Sequence, residues 1–349
     1  MKYALPEYPK KEVNRAGVVL ATHDPHHDDF FAYYKALDVI NNWRSSHHFP
    51  LNTFQIGLRK KATIIDNNCV VAQRIKRLSS IQMKLQRFPT MTLSQMQDIG
   101  GCRAILNTVD DVADLVKSYD GSDLKHKKHT YDDYIANPKP SGYRGVHIVW
   151  SYNSDRKTTY NSLKIEMQLR SQIQHAWATA VETVGTFVSQ ALKSSQGEED
   201  WLRFFALMGT AFAIREGTPP VPGTPNVEHH LINELRSHVS NLDISRRLHA
   251  YGATLGVLED PDVKDAHYFL LELQPSDETI KVTGFRAGES EKASDAYLAA
   301  EKNISPGSGA EAGSGLSRFH CGSPARVSKL LFRYKYFYQL GRGGYKIEL

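Results

Sequence analysis

A chain of 349 residues, 41% hydrophobic and 23% charged, is long enough for two or more domains and has the composition of an ordinary soluble protein. No run approaches the ~20 apolar residues of a membrane span, the opening MKYALPEYPK lacks a signal-peptide core, and Cys69, Cys102 and Cys321 have no CxxC spacing, so a zinc site and a disulfide framework are set aside and a reducing cytoplasm is expected. Of the net charge of +5, residues 316–349 carry +6 and the rest carries −1, so nucleic-acid binding must rest on local patches.

In chain order, residues 1–66 read as a helical extension holding the aromatic-rich DDFFAYYKALDVINNW. Within it ATHDPHHDDF is a His/Asp cluster without metal-ligand context. The spacing of Val71, Ile75, Leu78 and Leu85 predicts one long helix over 67–87, with Lys76, Ser80 and Lys84 along its other face and Arg77 beside them. A solvated charged face explains that pattern; so does a phosphate site, which would use a Ser between two Lys. CRAILN (102–107) reads as a strand, and VDDVADLVKSY as a helix capped by Thr108. Residues 120–145 read as a long polar loop. GVHIVW returns as a strand, and a turn near 153–155 leads into LKIEMQLR (163–170), which alternates strictly. Leu163, Ile165, Met167 and Leu169 point to a core; Glu166, Gln168 and Arg170 point away from it.

A helix is expected from Ser171 towards Leu192, a second through WLRFFALMGTAFAIREG until the Pro/Gly run GTPPVPGTP, and further helix over 226–257. FLLELQ, IKVTGF and DAYLAAEKN suggest a small α/β module. The predicted fold class is therefore mixed α/β, a mixed β-sheet flanked by helices, with a small C-terminal α/β module. The expected division is 1–66, a core at 67–195, a helical extension at 196–257, the small module at 258–304 and a basic, disordered tail at 305–349.

Three segments hold chemistry. Asp98 precedes Gly100-Gly101, where backbone can approach a phosphate, and Arg103 could lie across a nucleotide. Glu166 is a second carboxylate on another strand, and two carboxylates on one magnesium suffice for phosphoryl-type transfer. Tyr143, in a loop with Ser141 and Gly142, could stand exposed and stack on a base or pack on its own scaffold. His147 stands on the next strand.

Taken in order, Arg74, Lys76, Ser80, Ile81 and Lys84, then Asp98, Gly101 and Arg103, then Pro138, Lys139, Gly142, Tyr143 and His147, then Glu166, Gln168 and Arg170 form a series that resembles the synthetase domain of the RelA/SpoT family over about residues 67–180. The resemblance implies an ATP-dependent pyrophosphokinase that moves the β,γ-pyrophosphate of ATP to a ribose 3′-hydroxyl. By that resemblance Asp98 and Glu166 are the catalytic Mg²⁺ ligands, and Lys76, Ser80 and Lys84 grip the ATP phosphates. Arg74 and Arg103 sandwich adenine, Tyr143 stacks on the acceptor base, and His147, Gln168 and Arg170 orient the acceptor. The family's hydrolase half is not matched.

The stretch after Arg170 resembles the fused toxin–antitoxin, CapRel-like small alarmone synthetases. That likeness implies a growth-inhibiting enzyme modifying the 3′ CCA end of tRNA, held in check by its C-terminal module, with a phage protein as trigger. Lys125, Lys127 and Lys128 are then candidates for a tRNA grip; a solvated loop is the plainer reading of the same run. The alternatives are a (p)ppGpp or (p)ppApp synthetase and a non-enzymatic nucleotide-binding regulator, the latter disfavoured by the intact Asp98, Glu166 and Tyr143. Residues 305–349 depart from the family's continuation and turn abruptly basic, as a shifted reading frame would make them.

Overall fold

In the computed structural model the described residues are 3–23, 30–122, 124–187, 199–242, 268–274, 279–286, 311–315 and single positions at 289, 292, 296 and 299. The elements are α1 (Lys10–Thr22), α2 (Phe30–Ser46), α3 (His48–Ile65), β1 (Val70–Ile75), α4 (Leu78–Arg87), β2 (Gly100–Leu106), α5 (Val109–Asp120), β3 (Lys127–Asp133), β4 (Val146–Ser151), β5 (Lys164–Ser171), α6 (Gln172–Phe187), α7 (Glu199–Arg215), α8 (Glu228–Asn241), β6 (Tyr268–Gln274), β7 (Thr279–Phe285) and β8 (Glu311–Gly315). The mixed α/β class holds. None of the described helices is long and apolar enough to cross a membrane.

The chain divides into two compact units, residues 1–132 with 146–169, and residues 133–145 with 170–349. In the first, the sheet runs β1-β2-β5-β4-β3. The ladders β1–β2 and β4–β5 are antiparallel, with Arg74 opposite Gly101, Arg103 opposite Ala72 and His147 opposite Gln168. Its core comes from the alternation of β5, whose Ile165, Met167 and Leu169 are fully buried. Helix α3 lays Leu51, Phe54, Leu58 and Ala62 against this sheet at helical spacing. Helix α1 buries Val13, Ala16, Gly17 and Leu20, and Gly17 is obligatory there because a Cβ would stand 2.8 Å from Leu93 Cβ.

Two expectations are corrected in this unit. The single helix over 67–87 is a strand followed by a shorter helix. The β-branched VVAQRI pairs with β2, and the helix starts at Leu78, after an extended Arg77. The apolar spacing that suggested one helix coincides across the junction. The loop 120–145 contains β3, KKHTYDD, whose mostly exposed residues show no apolar alternation because it is an edge strand with little to bury. The α5 helix is as expected, capped by Thr108, whose Oγ1 accepts from the Asp111 N–H at 3.1 Å while Asp111 reaches back to the Thr108 N–H at 2.9 Å.

In the second unit, α7 is apolar nearly all round and correspondingly buried, with Trp201, Phe204, Phe205, Met208 and Phe212 packed against Trp177, Val181 and Val184 of α6. Ser171 and Gln174 form a capping box at the start of α6. Gly142 takes φ +90, and Gly209 of α7 lies beneath it: a Cβ on Gly209 would stand 2.8 Å from Gly142 Cα and 3.0 Å from Gly142 O. Because backbone cannot yield as a side chain does, Gly209→Ala is expected to cost about 2 kcal/mol of unfolding free energy. Gly57→Ala, in α3 with nothing within 4 Å of a Cβ, should instead add about 0.5–1 kcal/mol. Urea denaturation of the two variants tests the contrast.

Also within this unit β7, β6 and β8 form an antiparallel sheet in that order. Strand β8 corrects the expectation that 305–349 is wholly without regular structure. EAGSG has no strand-like alternation, yet its backbone pairs with β6, and a ladder needs only backbone groups. The His/Asp cluster at 24–29, the end of the helix expected after Ser171, residues 243–257 and most of 293–303 lie outside the described residues.

Candidate active site

Asp98 stands immediately before β2. The Lys76 N–H donates to Ile99 O at 2.8 Å, which extends the β1–β2 pairing by one step and brings Lys76 beside Asp98. Lys76 Nζ lies 2.6 Å from Asp98 Oδ2, and Lys84 Nζ, one helical turn beyond Ser80 on α4, lies 3.0 Å from Asp98 Oδ1. Lys76 and Lys84 thus meet at Asp98, although Lys76 precedes the helix that carries Lys84 and does not share its face. Burial pushes the Asp98 carboxyl up, but the two ammonium groups outweigh it and hold it below the ordinary range. Burial lowers the Lys76 ammonium, and Asp98 only partly restores it.

Glu166 stands on the polar face of β5. Its Oε1 lies 3.1 Å from His147 Nδ1, and its Oε2 accepts from Gln168 Nε2 at 2.7 Å. Burial raises this carboxyl, but His147, Gln168 and the charge of Arg74 pull it down to about 2. Both carboxylates are therefore anions at neutral pH, and each raises the cost of the other's charge.

The β1–β2 register places Arg74 and Arg103 on one face of the sheet, diagonal to each other, with only Gly101 and Ala72 opposite them. Two arginines on one sheet face are chemically suited to stacking on a planar ring. Helix α4 begins next to it, with Ser80 in its first turn, where free N–H groups favour phosphate.

In the second unit Tyr143 is 5% exposed, so of the two readings left open for it, packing on its own scaffold is the one observed. The positive φ of Gly142 turns the chain inward, and the Tyr143 ring meets Trp177 edge-on at 6.3 Å. Arg170 Nη2 donates to Tyr143 Oη at 2.7 Å, and the Arg170 guanidinium lies 5.0 Å over the ring.

The basic run is part of the fold. Lys125 pairs with Asp155, Lys128 Nζ lies 2.7 Å from Asp120, and His126 stacks 4.9 Å from Tyr152. Lys127 is exposed on β3. The composition of the run does not show that nearby acids neutralise two of its lysines.

Magnesium suits this donor set. Asp98 and Glu166 are ionised and offer only oxygen, as a hard cation requires, and magnesium ordinarily completes its shell with water and phosphate. Among the described residues no three His, Cys, Asp or Glu side chains are grouped to hold a metal by themselves.

Residues 73–185 match a family model described as a region found in RelA / SpoT proteins. GTP pyrophosphokinase YjbM of Bacillus subtilis (strain 168) is 33% identical over 111 residues, 31% of this chain and 52% of that protein. GTP pyrophosphokinase YwaC of the same organism is 31% identical over 112 residues, 30% of this chain and 52% of that protein. The structure of small alarmone synthetase 1 from Bacillus subtilis superposes with a TM-score of 0.44 at 22% identity, over 51% of this chain and 92% of that one. The chain spans about half the length of the curated relatives it matches. The matched span runs from within β1 to within α6, so it holds Arg74 through Arg170 and excludes α7.

Two buried groups escaped the sequence reading, Arg144 and Glu216. Arg144 adjoins Tyr143 and could have been singled out as a charged residue in an otherwise small-residue turn. Nothing in the sequence around Glu216 distinguishes it from a solvated residue at a helix end.

Proposed function

We propose that this chain is an ATP-dependent pyrophosphokinase that transfers the β,γ-pyrophosphate of ATP to the 3′-hydroxyl of a ribose. The observation that carries the reading is the pair of ionised carboxylates, Asp98 and Glu166, with Lys76 and Lys84 on the first and Arg74 beside the second. The names of the relatives, GTP pyrophosphokinases, support it. The acceptor oxygen forms a bond to the β-phosphorus, the bond from that phosphorus to the α,β-bridging oxygen breaks, AMP leaves, and the hydroxyl proton passes to solvent or base. Such a transfer needs positioning and charge neutralisation more than covalent help.

Lys76, Lys84 and the Ser80 turn hold the phosphates, and Arg74 and Arg103 clamp the adenine. His147 and Gln168 fix the Glu166 carboxylate and orient the acceptor ribose. The buried Tyr143–Arg170 hydrogen bond shapes the acceptor loop. Magnesium bound by Asp98 and Glu166 would supply neutralisation of phosphate charge. A Glu166 carboxyl at about 2 is a weak base at neutral pH, so its main contribution is fixed negative charge rather than proton removal.

Among acceptors, a free purine nucleotide is favoured, because Lys125 and Lys128 are already paired with Asp155 and Asp120. The second reading, a toxin acting on the tRNA 3′ end and restrained by its C-terminal module, draws on the same run, since exposed ion pairs are weak and phosphate can displace them. ATP labelled on the γ-phosphate, offered with GDP, GTP and bulk tRNA in one tube, distinguishes them. Label is expected in a nucleotide, and the double variant Lys127→Glu, Lys128→Glu is expected to change that transfer less than about two-fold, as for surface charges away from a site. Label in tRNA, lost in the double variant, would establish the second reading. No label with any acceptor would overturn both.

A further inference from the structure

Beneath Tyr143 lies a buried polar network that none of these roles uses. The Arg144 guanidinium is 1% exposed and the Glu216 side chain 7%. Arg144 Nη1 donates to Thr218 Oγ1 at 3.1 Å, Nη2 lies 3.9 Å from Glu216 Oε2, and Nε has no hydrogen-bond partner among the described residues. Glu216 Oε1 accepts from Ser171 Oγ, and Oε2 accepts from Gln174 Nε2 at 3.1 Å. Glu216 is anchored in turn, since its N–H donates to Phe212 O and Ala213 O at 3.1 Å each.

A guanidinium buried with one hydrogen bond and one long ion pair is a poor way to stabilise a fold. Its use is to specify conformation. Arg144 directly follows Tyr143, and Ser171 directly follows Arg170, which donates to Tyr143 Oη. One carboxylate therefore ties down the chain on both sides of the Tyr143–Arg170 hydrogen bond. It comes from residues outside the matched span at 73–185. The Gly142–Gly209 contact brings α7 to the same loop independently.

We propose that Glu216 is a positioning residue for the acceptor loop: acting through Arg144, Ser171 and Gln174, it fixes Tyr143 and Arg170, so that the α7 segment completes the acceptor side of this enzyme. The proposal deepens the function assigned above and rests on Tyr143 and Arg170 being acceptor residues.

The test uses the full chain with Glu216→Gln, Arg144→Met and the double variant. Amide hydrogen exchange is followed at Lys139 and Gly142, whose N–H groups bond Tyr143 O and Lys139 O, and compared with mid-α7 amides. Each single variant is expected to speed loop exchange by about ten-fold or more, the range over which local opening varies, with α7 unchanged. Acceptor KM should rise by about as much while ATP KM stays within about two-fold, as loss of acceptor-side binding alone dictates. The double variant, freed of an unpaired buried charge, should recover melting temperature without recovering loop protection or acceptor KM. Unchanged loop exchange in both single variants overturns the proposal, and so does a double variant that recovers acceptor KM together with stability. Faster loop exchange in the single variants, together with a wild-type chain that labels no acceptor, would uphold Glu216 as the lock and overturn the pyrophosphokinase reading instead.

Discussion

Glu166→Gln is expected to lower pyrophosphoryl transfer by about 10³-fold, within the range for removing one charged group aimed at a reacting centre. Gln keeps the shape of the side chain and can still accept from one neighbour, so the variant should fold and bind ATP. It loses the charge that His147 and Arg74 face. Single-turnover kinetics with saturating ATP reads the loss in the chemical step, and a rate within about ten-fold of wild type would remove Glu166 from the reaction. Stability gives a second, pH-dependent readout. The folded carboxyl is held at about 2, below its ordinary 4.5. Its contribution is present above pH 4.5 and is lost as the pH falls towards 2, so the stability gap between wild type and variant should close over that interval.

Asp98→Asn is expected to separate binding from turnover. Both oxygens of Asp98 are taken by lysines, and removing its charge leaves two adjacent ammonium groups with no anion between them. Transfer should fall by about 10²–10³-fold, whereas metal-free ATP should bind at least as tightly as to wild type, because its phosphates become the remaining counter-charge for Lys76 and Lys84. Lys76→Met should do the opposite and weaken ATP binding by about ten-fold, the loss of one charge-assisted contact. The Asp98→Asn fold should be weaker by about 2 kcal/mol at pH 7, below the figure for fully buried pairs because Lys84 is 29% exposed. The Asp98 carboxyl titrates below its ordinary 3.8. The deficit should therefore disappear as the pH falls below 3.8. Calorimetric titration with ATP in chelator, and urea midpoints at pH 7 and pH 3, check the two halves.

Strand β5 was legible in the sequence because its two faces differ at every second residue up to Leu169, although Arg170, read as pointing away from the core, is buried. LKIEMQLR announces both the core and the carboxylate, and β5 buries Ile165, Met167 and Leu169 while presenting Glu166 and Gln168. The capped helix α5 was legible for a similar reason, since Thr108 and Asp111 satisfy each other locally. The β1–α4 junction was not, because an apolar spacing of four and three residues fits a helix even where the chain changes element. Strand β3 was hidden because an edge strand that buries little writes no hydrophobic pattern. Tyr143 illustrates a different gap. Its polar, glycine-containing loop suggests exposure, but the aromatic cover comes from Trp177 and Phe205, far along the chain. The Arg144–Glu216 pair, 72 residues apart in sequence, is a purely tertiary fact.

The charged character of β3 bears on how this protein keeps company with itself. As the last strand in the order β1-β2-β5-β4-β3, it leaves one row of backbone donors and acceptors unpaired by the sheet. A flat, apolar strand there would invite a second copy to add on and start a fibre. Lys127, Lys128, His129 and Asp132 instead stand exposed along it, and charged side chains on an edge strand, lysines above all, make it a poor template for a further strand. The lysines that tempt a nucleic-acid reading thus also protect the sheet from polymerising.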